Sequence, residues 1–156
     1  MSTIRSRIEA MKRQKLVMKK VVNLSDYRSL KKPVKTKNIL VVDDDPIILS
    51  ALKRVLEVKG YRVVVALDGV ELSHKLESAR FHMFIIDINL PWVDGYELCK
   101  LIKSFPHYCD LPLILISSLS KKEDIDRGYQ CGCDEYLIKP FDMNYIVGTV
   151  EKALSS

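Results

Sequence analysis

Along residues 38–154, short continuous apolar runs alternate with stretches in which apolar residues recur every three or four positions. NILVV (38–42), YRVVVAL (61–67), FHMFII (81–86), LPLILI (111–116) and EYLI (135–138) have the length and density of strands buried on both faces. Between them, IILSALKRVLEVK (47–59), VELSHKLESA (70–79), YELCKLIKSF (96–105) and KKEDIDRGYQ (121–130) show helical spacing, and MNYIVGTVEKAL (143–154) closes the series. Punctuation agrees with this division. Asp45 before Pro46 makes an N-cap and first-turn pair, Asp94, Ser120 and Asp142 stand where caps belong, and Gly60 and Gly132 stand where helices stop. Asp68 and Gly69 read as a turn. In the third helix, Leu98, Leu101 and Ile102 are expected to face the core, with Cys99 packing beside them.

Five strands alternating with five helices predict a parallel sheet covered on both faces. Right-handed crossovers leave few arrangements, and the flavodoxin-like, doubly wound order 2-1-3-4-5 is the one expected at this size. In that order strands one and three are neighbours. Both stop on acid: the first on Asp43, Asp44 and Asp45, the third on Asp87. Carboxylates crowded at one sheet edge raise one another's pKa unless a cation offsets them, and hard oxygen ligands favour Mg²⁺ or a similar ion. The plainer alternative is that each Asp merely caps the helix that follows it.

Composition divides the chain. Residues 1–37 hold 12 of the 25 Lys/Arg and 2 of the 20 Asp/Glu, so the formal +5 of the whole chain separates into +10 there and −5 in 38–156. The expectation is a basic N-terminal extension and linker over 1–37 and one domain over 38–156. Within the extension, Ile4, Ile8, Met11, Met18 and Val22 trace one face of a basic amphipathic helix that Lys15 interrupts. Such a segment suits a partner surface, anionic lipid or a phosphate backbone, although base stacking has only Tyr27 to draw on. Neither a signal peptide nor a run of 18 apolar residues is present, so a cytoplasmic protein is expected. Cys99, Cys109, Cys131 and Cys133 lack disulfide density and CxxC spacing and are read as free thiols, and His74 as solvated surface.

Ser117 lies 30 residues beyond Asp87 and Lys139 another 22 on, each at the carboxyl end of its strand. Asp43-Asp44 after the first strand, Asp87 four residues before Pro91, the strand-four Ser117 and Lys139-Pro140 together resemble the receiver domain of bacterial two-component response regulators, over residues 38–154. The resemblance implies that Asp87 accepts a phosphoryl group from a sensor histidine kinase or phosphotransfer protein, with Mg²⁺ held by Asp43, Asp44, Asp87 and the backbone carbonyl of Asn89. It further implies that Ser117 donates to the phosphoryl group, that Lys139 pairs with it, that Lys139-Pro140 is cis, and that Tyr136 is an aromatic switch. Output would pass through the face made by the fourth helix, fifth strand and fifth helix to a downstream protein. The sequence ends two residues after the last predicted helix, so output is expected through a partner or the basic extension, and no enzymatic turnover beyond self-phosphorylation and self-dephosphorylation is expected. Departures are Trp92 where the family usually has glycine, a bulky ring expected to restrict access, and Ser118, Leu119, Cys131 and Cys133 where smaller or different side chains are usual. The alternative is a small haloacid-dehalogenase-type phosphatase with Asp43 and Asp45 as its DxD pair, in which Asp43 is the nucleophile.

Overall fold

In the computed structural model residues 36–155 are described; the amphipathic helix expected within residues 1–24 and most of the linker lie outside them. Within the unit that begins at Thr36, β1 (Asn38–Val42), α1 (Pro46–Val58), β2 (Arg62–Ala66), α2 (Gly69–Ser78), β3 (Met83–Asp87), α3 (Gly95–Ser104), β4 (Leu113–Ser117), α4 (Lys122–Gln130), β5 (Glu135–Ile138) and α5 (Met143–Leu154) follow in order. The strands are all parallel in the order β2-β1-β3-β4-β5, as the alternation predicts. Among the described residues no helix is long and apolar enough to cross a membrane.

Period-two alternation sorts the strand residues onto two cores. Ile39, Val41, Met83, Ile85, Ile114, Ile116 and Leu137 face α1 and α5, whereas Leu40, Val42, Phe84, Ile86, Leu113, Leu115 and Tyr136 face α2, α3 and α4. Continuing each strand by parity decides where its polar terminus points. Asp43 follows Val41 by two, Asp87 follows Ile85 and Lys139 follows Leu137, so these three share the α1/α5 side. Ser117 follows Leu115 and has the parity of Tyr136. Register completes the convergence, because Val42 stands beside Ile86, Asp87 beside Ile116 and Ser117 beside Ile138.

Local chemistry explains most of the boundaries. The side chains of Asp45, Asp94 and Asp142 accept the N–H groups of Ile47, Tyr96 and Asn144 at the starts of α1, α3 and α5. Gly60 and Gly132 end α1 and α4 with φ of 91° and 98°, a conformation that costs glycine little. Three expectations need correction. Asp68 is the N-cap of α2, accepting from Glu71 N–H, and Gly69 is that helix's first residue rather than half of a turn. Ser120 does not cap α4: the helix starts at Lys122, the N-cap position falls on Lys121, and no side chain bonds the first turn. Leu101 is 55% exposed, because α3 turns Leu98, Cys99 and Ile102 inward and Leu101 falls on the flank of that stripe.

Three cysteines are packing residues. Cys99, Cys131 and Cys133 are buried beside α3 and α4, and Cys99 donates to the Cys131 carbonyl. Burial pushes the Cys99 and Cys133 thiols up to about 12 and that of Cys131 upward as well, so none supplies a thiolate at neutral pH. Cys109 is exposed.

Candidate functional site

The carboxyl ends of β1, β3 and β5 meet in an acid pocket. Asp43 is fully buried and Asp87 is 3% exposed, while Asp44 stands open at the mouth. Oxygen atoms from the three carboxylates lie within 4.8 Å of one another. Lys139 enters between two of them, its Nζ 2.9 Å from Asp43 Oδ2 and 3.4 Å from Asp87 Oδ2. The Lys139-Pro140 bond is cis. Asp43 Oδ1 accepts the Asp45 N–H at 2.9 Å, and Asp87 Oδ1 accepts the Asn89 N–H at 3.3 Å. Asp45 itself turns away to cap α1. The plain capping alternative therefore holds for Asp45, and not for Asp43 or Asp87.

Charge in this pocket does not balance. Burial raises the Asp43 carboxyl above the usual carboxylate range, and the Asp45 amide and Lys139 ammonium only partly offset it. Burial also works against the charge on Lys139, but Asp43 and Asp87 outweigh it and hold the amine protonated above its ordinary value. The ion pair thus favours lysine more than it relieves Asp43, as expected where two carboxylates share one ammonium. A hard divalent cation would close the deficit, and an all-oxygen donor set of this size suits Mg²⁺. Replacing Asp43 with Asn should relieve the crowding while keeping the acceptor for Asp45 N–H. In metal-free buffer Asp43→Asn is expected to raise the unfolding free energy, measured by chemical denaturation. A fall would show that the lysine pair outweighs the crowding.

Ser117, fully buried, reaches the rim from the opposite parity. Its Oγ accepts the Leu119 N–H at 3.0 Å, and its carbonyl accepts the Lys139 N–H at 2.7 Å, tying β4 to the lysine-bearing end of β5. Tyr136 is buried, and its hydroxyl donates to the Leu119 carbonyl at 3.0 Å. Asn89 is exposed, and its side-chain amide donates to Ser118 Oγ at 3.3 Å, spanning from the β3 loop to the β4 loop. The Trp92 ring packs against Gly69 at the start of α2, approaching its Cβ position to 3.0 Å. Its Nε1 is the one buried side-chain nitrogen or oxygen without a hydrogen-bond partner among the described residues.

Sequence reasoning missed Tyr96 and Arg127, which join residues it did single out. Asn89, Trp92, Asp94, Tyr96, Leu119 and Arg127 line a cleft of about 530 Å³ beside the pocket. Arg127 Nη2 donates to Asp94 Oδ2 at 2.9 Å and its guanidinium lies 4.2 Å over the Tyr96 ring. Nothing local in the sequence signals that pairing, because 33 residues separate the partners and only the packing of α4 beside α3 joins them.

Comparison with known proteins agrees with this geometry. The sequence profile described as "Response regulator receiver domain" matches residues 39–151. The chain is 32% identical over 116 residues to the DNA-binding dual master transcriptional regulator RpaA of Synechocystis, covering 74% of this chain and 48% of RpaA. It is 33% identical over 121 residues to the transcriptional regulatory protein PrrA of Mycobacterium tuberculosis, covering 78% and 51%. It thus spans about half the length of these curated relatives. Among solved structures, the BeF3-activated DrrB receiver domain superimposes with a TM-score of 0.71 at 31% identity, covering 78% of this chain and 99% of that one. The chemotaxis response regulator CheY4 of Vibrio cholerae gives 0.71 at 29%, covering 76% and 99%.

Proposed function

Because this chain belongs to the response regulator receiver domain family, we propose that Asp87 is its phosphoacceptor. The observation that carries the assignment is the difference between the two buried acids. Asp43 has one oxygen on the Asp45 amide and the other on Lys139 at 2.9 Å, whereas Asp87 has a single amide contact at 3.3 Å and the lysine at 3.4 Å. The less committed carboxylate is the better nucleophile. Transfer from a phosphohistidine would form a bond from the Asp87 oxygen to phosphorus as the phosphorus–nitrogen bond breaks.

The residues around Asp87 divide the work of holding that geometry. Asn89 N–H fixes one carboxylate oxygen and so orients the other. Lys139 needs little movement to pair with a phosphoryl oxygen on Asp87. Ser117, already an acceptor through its Oγ, keeps its hydroxyl proton to donate. Asp43, Asp44, Asp87 and the Asn89 carbonyl would hold Mg²⁺, which when bound supplies the positive charge that lets two anions approach. Asp45, committed to its cap, leaves the phosphatase alternative without its second acid. We assign no catalytic turnover of a separate substrate.

Receiver domains of response regulators interact with histidine kinases or phosphotransfer proteins, and for this chain we place the phosphodonor there. A downstream protein would meet the α4/β5/α5 face, where Tyr129, Ile138 and Tyr145 are exposed. The +10 of residues 1–37 supports contact of that segment with nucleic acid or an anionic membrane, outside a receiver unit at 38–156 in the cytoplasm. The test uses Trp92, which is the only tryptophan and lies in the loop leaving Asp87. Mg²⁺ and then beryllofluoride, a mimic of the phosphoryl group, are expected to change its emission saturably, and deleting residues 1–37 is expected to leave that response intact. A folded sample that gives no response by fluorescence or by calorimetry would overturn the assignment.

A further inference from the structure

Helix α4 is tied to the acid pocket at two places, whose tyrosines, Tyr136 and Tyr96, also interact with each other. On one side, Leu119 N–H donates to Ser117 Oγ and the Tyr136 hydroxyl donates to the Leu119 carbonyl, both at 3.0 Å. The Tyr136 ring then lies against Gly128 of α4, where a Cβ would stand 2.6 Å from its Cδ2. On the other side, the Tyr96 hydroxyl donates to the Asp124 carbonyl of α4 at 3.0 Å. Arg127 of α4 pairs with Asp94 and covers the Tyr96 ring. Asp94 bridges back to Asn89, and Gly95 N–H donates to the Ile88 carbonyl, so both belong to the loop that leaves Asp87. The contacts close a circuit from Asp87 through its loop to α4, and back through Tyr136 and Leu119 to Ser117.

We infer that Arg127 and Tyr96 are positioning residues of the phosphoacceptor loop, fastening residues 88–95 to α4 so that a phosphoryl group on Asp87 and this placement of α4 favour each other. The inference rests on the phosphoacceptor reading above and adds a second route of coupling to it. Its sign follows from Ser117. In the observed arrangement the Leu119 amide takes a lone pair of Oγ, which leaves the hydroxyl proton for a phosphoryl oxygen to accept. A ligand that uses that proton binds best to the arrangement that presents it, and by linkage it stabilises the contacts holding α4 in place. The effect has a ceiling. Arg127 and Asp94 have half-exposed side chains, and an exposed ion pair with a guanidinium over a ring supports a change of roughly threefold to tenfold in affinity.

The experiment titrates beryllofluoride into the full chain at saturating Mg²⁺, read by calorimetry alongside Trp92 emission. Arg127→Ala is expected to weaken the mimic by about threefold to tenfold, with Arg127→Lys recovering part of the loss, and Tyr96→Phe, which keeps the ring and removes only the bond to the Asp124 carbonyl, by about twofold to tenfold. Asp94→Asn keeps the oxygen that caps α3 and removes the charge; added to Arg127→Ala, it is expected to cost nothing more. Backbone amide resonances of residues 122–130 are expected to shift with the mimic in the parent chain and to lose part of that response in Arg127→Ala, while Leu119 keeps it. Mimic affinity unchanged in Arg127→Ala, whether or not its melting temperature drops, would make Arg127 merely structural and overturn the inference while leaving the phosphoacceptor reading intact. A parent chain that binds no mimic would remove both.

Discussion

Asp87→Asn is expected to abolish covalent labelling by acetyl phosphate or by a cognate kinase. The amide keeps an oxygen for the Asn89 N–H that now rests on Asp87 Oδ1, so the loop and its cleft should survive. What disappears is the anion that attacks phosphorus, and an amide cannot replace it. Asp43 is a poor substitute. Both of its oxygens are engaged, it is fully buried, and burial holds its carboxyl above the usual range. Reductive trapping of the acyl phosphate with borohydride, followed by peptide mass spectrometry, should place the label on the peptide containing Asp87. A label on Asp43, with Asp87→Asn still reactive, would sink the receiver mechanism for this chain.

The elements that the sequence shows most plainly are those governed by local rules. NILVV becomes β1 with the expected ends, and Asp45-Pro46, Asp94 and Asp142 open helices through their own side chains. Strand order follows from handedness and crossover length, and once β1 lies beside β3 the meeting of Asp43 with Asp87 needs no further information. The failures occur where a partner distant in sequence decides. Leu101 looks like part of the apolar stripe of α3, and only the packing against β3 and β4 turns Leu98, Cys99 and Ile102 inward and leaves Leu101 on the flank. Ser120 has the right chemistry for a cap but sits one residue before the position the helix uses. The seat of the Trp92 ring was equally hidden, because its observed neighbour, Gly69, lies far back in the sequence at the start of α2. The same limit hid the Arg127 pairing, since an exposed arginine on a polar helix reads as solvated surface until α4 is docked.

Gly95→Ala is expected to damage fold and site together. A Cβ at Gly95 would stand 2.4 Å from Ile88 Cα, 2.5 Å from the Asp87 carbonyl oxygen and 3.0 Å from that of Ile88. All three are backbone atoms, so no rotamer change can relieve the contact. The loop leaving Asp87 would have to move, and its hydrogen bond from Gly95 N–H to the Ile88 carbonyl, 2.9 Å long, would stretch with it. Overpacking of this kind costs about 1–3 kcal/mol and sometimes more, and the upper part of that range is expected here. Affinity for Mg²⁺ with beryllofluoride should fall as well, because Asn89 and Asp87 sit on the displaced segment. Gly148→Ala supplies the control. Gly148 is exposed within α5 and a Cβ there meets nothing within 4 Å. The same substitution there is expected to raise stability by roughly 0.5–1 kcal/mol, through helix propensity alone. Chemical denaturation of the two variants therefore separates close approach from conformational freedom. Opposite signs support the backbone contact at Gly95, and stabilisation by both would show that the loop has room there and that its packing does not hold Asp87 in place.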